Sequence, residues 1–167
     1  MKLPPEFQFI KGRTGWHRSP TGDWEQLEER ALELQNQIPL PVQIFCGHRG
    51  DDAGPAIYLI EDVSPIELAK EFETGSHNAL DKFETKRVCD ELARIFKIAP
   101  FRPYFMDAAG YKAKFLEPLT LETAQSIVGI LTVGLEGYAS EWTGEESEMS
   151  EMVETLMREN QIRLWWD

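Results

Sequence analysis

Cysteine, histidine and clustered basic charge are all scarce in this sequence, and each shortage excludes a class of chemistry. Two cysteines, Cys46 and Cys89, occur in 167 residues. Both sit in apolar settings and make no disulfide framework. Cys89 falls at the edge of a helical apolar stripe, where a buried, inert thiol is expected. The three histidines, His17, His48 and His77, stand far apart, and no CxxC or HxxxH spacing occurs. No metal site and no cofactor is therefore expected.

Lysine and arginine number 17 against 29 aspartates and glutamates, for a net charge of −12. That balance disfavours a phosphate backbone, which needs clustered lysine and arginine, so no nucleic-acid partner is expected. It favours fast association with a basic partner. The basic residues concentrate in 80–114, where eight of them stand against five acids. Long apolar runs are also missing. The most apolar stretch, Thr120 to Tyr138, carries Glu122, Gln125 and Glu136 and falls short of the roughly 20 apolar residues a bilayer requires. No membrane helix is expected. Met1 to Phe9 holds two prolines and no apolar core, so no secretory signal is read there and a reducing cytoplasm is the expected location.

Apolar residues make up 42% of the chain and include five tryptophans, which argues against disorder. A chain of this length is expected to form one domain, 1–167, and to bury about 70% of its unfolded surface. Residues 1–20 are weakly patterned and read as an N-terminal arm, with Phe7 and Phe9 suited to a short edge strand and Trp16 and His17 to a docking anchor.

In the apolar stretch, Leu121, Ala124, Ile127, Val128, Leu131 and Leu135 recur every three or four residues, predicting a buried helix near 120–137. Thr120 is its N-cap. Gly129 inside it suggests close approach of another element. A strand over 127–133 is the rival, since isoleucine, valine and threonine favour strands. Trp24, Leu27, Ala31 and Leu34 share one face of a helix over Asp23 to Gln37. Ser64-Pro65-Ile66-Glu67 has the form of a capping box with proline at the first helical position. Val88, Leu92, Ile95 and Phe96 stripe a further helix, from Leu80 or Asp81 to Lys97. Thr143 to Glu146 opens a last helix, with Met149, Met152, Val153 and Leu156 inward.

Val42 to Cys46 and Ala56 to Ile60 read as antiparallel strands at the middle of a sheet. Phe101 to Met106 and Tyr111 to Leu116 read as a hairpin, with Lys112 and Lys114 facing solvent. Ile162 to Trp166 reads as a final short strand. The sum is an α+β fold, with a mixed or mainly antiparallel sheet of about four to six strands and packed helices.

No motif specifies a reaction. The loop Cys46-Gly47-His48-Arg49-Gly50-Asp51-Asp52 gathers a thiol, an imidazole, a guanidinium and carboxylates. With Cys46, His48 and Asp51 it is the alternative site for a small enzyme or small-ligand binder, although no third group orients the histidine. From Glu141 to Glu159 there are seven glutamates and one arginine. Glu145, Glu148, Glu151 and Glu154 on that helix, with Trp142, Trp165 and Trp166 as aromatic anchors, form the leading candidate surface for a protein partner. The composite expectation is an acidic cytoplasmic protein-binding domain of the inhibitor, immunity or adaptor kind, covering a basic surface of its partner. Oligomeric state is left open.

Overall fold

The computed structural model describes residues 2–50, 52–75, 83–133 and 146–165. Strands β1 (Gln8–Phe9) and β2 (Trp16–Arg18) precede helix α1 (Trp24–Gln37). A hairpin of β3 (Gln43–Gly47) and β4 (Ala56–Ile60) leads to α2 (Pro65–Glu71) and α3 (Phe83–Ile98). A second hairpin, β5 (Phe101–Met106) and β6 (Gly110–Phe115), is followed by α4 (Leu121–Val133), α5 (Glu146–Glu159) and β7 (Gln161–Trp165).

The strands form one mixed sheet in the order β1-β2-β4-β3-β5-β6-β7. The β3–β5 pair is parallel and all the others are antiparallel. This is a single α+β domain, and among the described residues its sheet has seven strands where about four to six were expected. The strand not read from the sequence is β2, of three residues, too short to show the two-residue alternation by which a strand is read, whereas β1 is the short edge strand expected around Phe7 and Phe9. Trp16 anchors that arm. It is 5% exposed and stacks on Phe72 at 6.3 Å.

Alternation along the strands makes two cores. One face carries Phe45, Tyr58, Ile60, Met106, Tyr111, Ala113, Phe115, Ile162 and Leu164, packed beneath apolar residues of α2, α3, α4 and α5. The other carries Ile44, Cys46, Ile57, Leu59, Tyr104 and Phe105 beneath Leu27, Ala31 and Leu34 of α1. Each large aliphatic group so buried contributes about 1.5–3 kcal/mol by leaving water.

Helices α1, α2 and α4 start where local chemistry predicts, whereas the Leu80 or Asp81 start read for α3, residues 134–137 of the expected central helix and Thr143 to Glu145 of the last capping box lie outside the described residues. Asp23 accepts from the backbone N–H groups of Glu25 and Gln26, and Ser64 and Glu67 form a reciprocal capping box. Thr120 accepts from the Thr123 N–H at 3.2 Å. The 127–133 stretch is helical, with Ala124, Ile127, Val128, Ile130 and Leu131 buried. Gly129 does not serve close packing, because an added Cβ there would meet nothing within 4 Å. Among the described residues, no helix is long and apolar enough to cross a membrane.

One irregularity positions the site. Between Pro103 and Phe105 the β5–β6 register slips, so that Pro103 faces Ala113 and Phe105 faces Lys112. Tyr104 is the extra residue of a β-bulge, a place where proline is tolerated in a strand. The slip turns Phe105 away from the face of Phe101 and onto the α1 face.

Candidate functional site

The Cys46–Asp52 loop is organised as structure. The Cys46 side chain enters the core under α1 and is fully buried. Its thiol contacts the Trp24 carbonyl at 4.0 Å. Burial, and then the Glu28 and Asp107 carboxylates, push its pKa far up. His48 turns to the Asp52 carbonyl, with Nε2 3.1 Å away. Arg49 lies over the Trp16 ring at 5.6 Å. The Asp52 carboxylate accepts from the Tyr58 hydroxyl and sits 3.8 Å from Arg18. Burial, then the bond to Asp52, raises the Tyr58 pKa to about 12. These contacts tie the loop to β2 and β4. Asp51 lies outside the described residues.

A thiol so placed holds very little thiolate at neutral pH, and thiolate is the reactive form. Iodoacetamide at pH 7 is expected to modify Cys46 in the folded protein on the order of 100-fold more slowly than free cysteine. Mass spectrometry of timed samples would check this, and alkylation at or above the free rate would restore the loop as a reactive site.

The surface that gathers aromatic rings and charge lies instead between α1 and the β5–β6–β7 edge. It is a groove of about 600 Å³, lined by Trp24, Phe105 and Trp165 together with Glu25, Glu28, Glu29, Asp107 and Lys112. The helical repeat places Trp24 and Glu28 one turn apart on one flank of α1, with Glu25 and Glu29 beside them. The bulge delivers Phe105. Its ring centroid is 5.0 Å from that of Trp24 and 6.4 Å from that of Trp165.

Trp165 stands opposite Gly110 in the β6–β7 ladder. A Cβ on Gly110 would come within 2.8 Å of Trp165 Cε3 and 3.0 Å of Phe105 Cε1, so glycine makes the space in which the tryptophan lies across the sheet. Trp165 remains 46% exposed. The Asp107 carboxylate is fixed at the hairpin turn by accepting from the Ala109 N–H at 2.8 Å. Lys112 does not face open solvent as expected. Its ammonium donates to both Glu28 oxygens, at 3.2 and 2.9 Å, and lies 5.0 Å from the centre of the Phe105 ring. Four carboxylates against one ammonium leave the groove negative, with aromatic walls.

Of the candidate partner residues, those described lie on both faces of the sheet. Glu151 and Glu154 are exposed on α5, which packs on the same face as Ile162 and Leu164. Trp165 alternates to the opposite, α1, face. Trp142, Glu145 and Trp166 lie outside the described residues, and Glu148 is described only as part of the α5 backbone. Sequence reasoning missed Phe105 and the α1 acids as site residues. The available signals were Pro103, which marks the bulge, and Gly110, which makes room for a large ring. Among the described residues, no group of three or more His, Cys, Asp or Glu side chains converges to hold a metal.

No protein-family model, no curated protein and no solved structure matches the chain.

Proposed function

We propose that the protein is an acidic binding domain that covers a basic surface of a protein partner and anchors it in the α1/β5–β7 groove. The observation that supports this reading most is the groove itself, in which Trp24, Phe105 and Trp165 stand among Glu25, Glu28, Glu29 and Asp107. Aromatic faces attract cations through the ring quadrupole, and carboxylates at the rim supply the counter-charge. Part-exposed tryptophan next to such charge is the composition of an interface anchor. The overall charge of −12 and the exposed α5 glutamates would raise the encounter rate with a basic partner from a distance, while the groove would hold it after contact. In this reading the protein is an inhibitor, immunity protein or adaptor rather than an enzyme, and it acts in the cytoplasm.

The test is capture of a partner from host lysate, followed by affinity measurement with the purified partner at two ionic strengths. Long-range steering is screened beyond about 10 Å at 0.1 M salt, so affinity is expected to fall as salt rises. Trp165→Ala is expected to weaken binding by about 2 kcal/mol, roughly 30-fold. Affinity indifferent both to salt and to this truncation would reject the reading.

A further inference from the structure

The groove already holds a cation of its own. The Lys112 ammonium contacts both oxygens of Glu28, at 3.2 and 2.9 Å, and faces the Phe105 ring at 5.0 Å. A carboxylate on one side and a ring face on the other is how proteins hold a cationic ligand. Here the ligand is tethered to β6. Both partners of the pair keep about a quarter of their side-chain surface in solvent, 27% for Lys112 and 26% for Glu28. The lysine can therefore reach water without unfolding anything around it. The neighbouring Glu25 and Glu29, one helical turn apart, have no basic partner among the described residues.

The geometry points to Lys112 as an internal stand-in for the ligand, which the guanidinium of a partner arginine displaces from Glu28. This rests on the groove being the docking site. Arginine fits the vacated place better than a second lysine for three reasons. Its planar fork spans both oxygens of one carboxylate. Its flat face stacks on aromatic rings. It is also more weakly hydrated than an ammonium. The rings are set for such a group, with Trp24 tilted 45° to Phe105 and Trp165 tilted 35° to it. In this arrangement Lys112 sets specificity. It satisfies Glu28 when the groove is empty and imposes a competition that a weakly paired cation loses.

The experiment is an NMR titration of the tryptophan indole N–H signals of the full chain with acetyl-Ala-Arg-Ala-amide, and separately with its lysine counterpart. Removing the competitor in Lys112→Met is expected to tighten arginine-peptide binding about fivefold. Glu28→Gln, which removes the carboxylate the guanidinium needs, is expected to weaken it about tenfold. A purely structural ion pair would make both variants fall together, so the opposite signs carry the test. Lys114→Met makes the same change of charge two residues along β6, outside the groove lining, and is expected to stay within about twofold of wild type. The lysine peptide is expected to bind wild type about fivefold more weakly than the arginine peptide.

If Lys112→Met binds like wild type or like Lys114→Met, the stand-in role is wrong while the groove reading survives. If the lysine peptide binds as tightly as the arginine peptide, the preference for guanidinium is wrong. If neither peptide shifts any indole signal in any variant, the groove is not a cation site and both proposals fall.

Discussion

Replacing Arg102 by methionine is expected to lower the melting temperature by roughly 10 °C, which for a chain of this size corresponds to about 3 kcal/mol. Arg102 lies on β5 and is 8% exposed. Its guanidinium donates to the carbonyls of Gln35 at 3.1 Å, Ile38 at 2.8 Å and Val42 at 2.7 Å. These are carbonyls at and just beyond the end of α1, a helix with no basic residue in its own last turn. A helix end leaves its last carbonyls without partners and carries partial negative charge. Arg102 supplies both the donors and the positive charge from across the sheet. Burial lowers its pKa, and its buried Nε has no partner, so the site already bears a desolvation cost that the carbonyl contacts offset. Methionine follows the side chain only as far as Nε and leaves the carbonyls unpaired, at a cost of about 1–3 kcal/mol for each buried group that stays dry. Arg102→Lys keeps the charge but not the fork, and is expected to fall between. A melting temperature for Arg102→Met within about 2 °C of wild type would show that water replaces the guanidinium freely.

Gly47→Ala is the second large effect, expected to cost about 2–3 kcal/mol. A Cβ at position 47 would lie 2.6 Å from the Met106 carbonyl oxygen and 3.1 Å from Phe72 Cε1. The phenylalanine ring could shift, but the carbonyl belongs to the β5 backbone. Moving it would open the parallel contact of β3 with β5, whose paired residues are Cys46 with Phe105 and Gly47 with Met106. Gly50, three residues on in the same loop, meets nothing within 4 Å of an added Cβ. Gly50→Ala is therefore expected to stay within about 0.5 kcal/mol of wild type. Urea unfolding of the two variants side by side would measure the difference, and equal stabilities would contradict the close approach. The contrast also explains the glycines of this loop. Gly47 is required by strand packing.

The helices were legible wherever short-range chemistry defines them. Ser64 to Glu67 carries its capping hydrogen bonds within four residues, and the 3.6-residue stripe of Ile127, Val128 and Leu131 outweighs the β-branching of Ile127 and Val128 once the helix is buried on more than one side. The hairpins were legible because turn residues separate alternating runs. The parallel pairing of β3 with β5 was not, since it joins residues nearly sixty positions apart through contacts that no local pattern encodes. The groove was hidden for a related reason. Simple alternation from Phe101 sets Phe105 on the same face as Phe101, and only the bulge at Tyr104 moves it to the face of Trp24. Glu25, Glu28 and Glu29 read as the solvated side of an amphipathic helix. Their place in the groove depends on β6 and β7 lying alongside, with Lys112 reaching back to Glu28. Exposure at Trp165 was legible in the sequence, but its separation from Glu151 and Glu154 follows from the position of α5 on the other face of the sheet.

The measurement that bears most directly on the account is the dissociation constant for the purified partner, at one fixed salt concentration, of two charge-reversed chains. Glu25→Lys with Glu29→Lys reverses the groove rim, and Glu151→Lys with Glu154→Lys makes the same change of net charge on α5. If the groove holds the partner, the first pair is expected to lose about 100-fold in affinity, mostly through faster dissociation, and the second about threefold, mostly through slower association. Equal losses, or a larger loss from the α5 pair, would contradict the groove as the binding site and place the interface on the glutamate face.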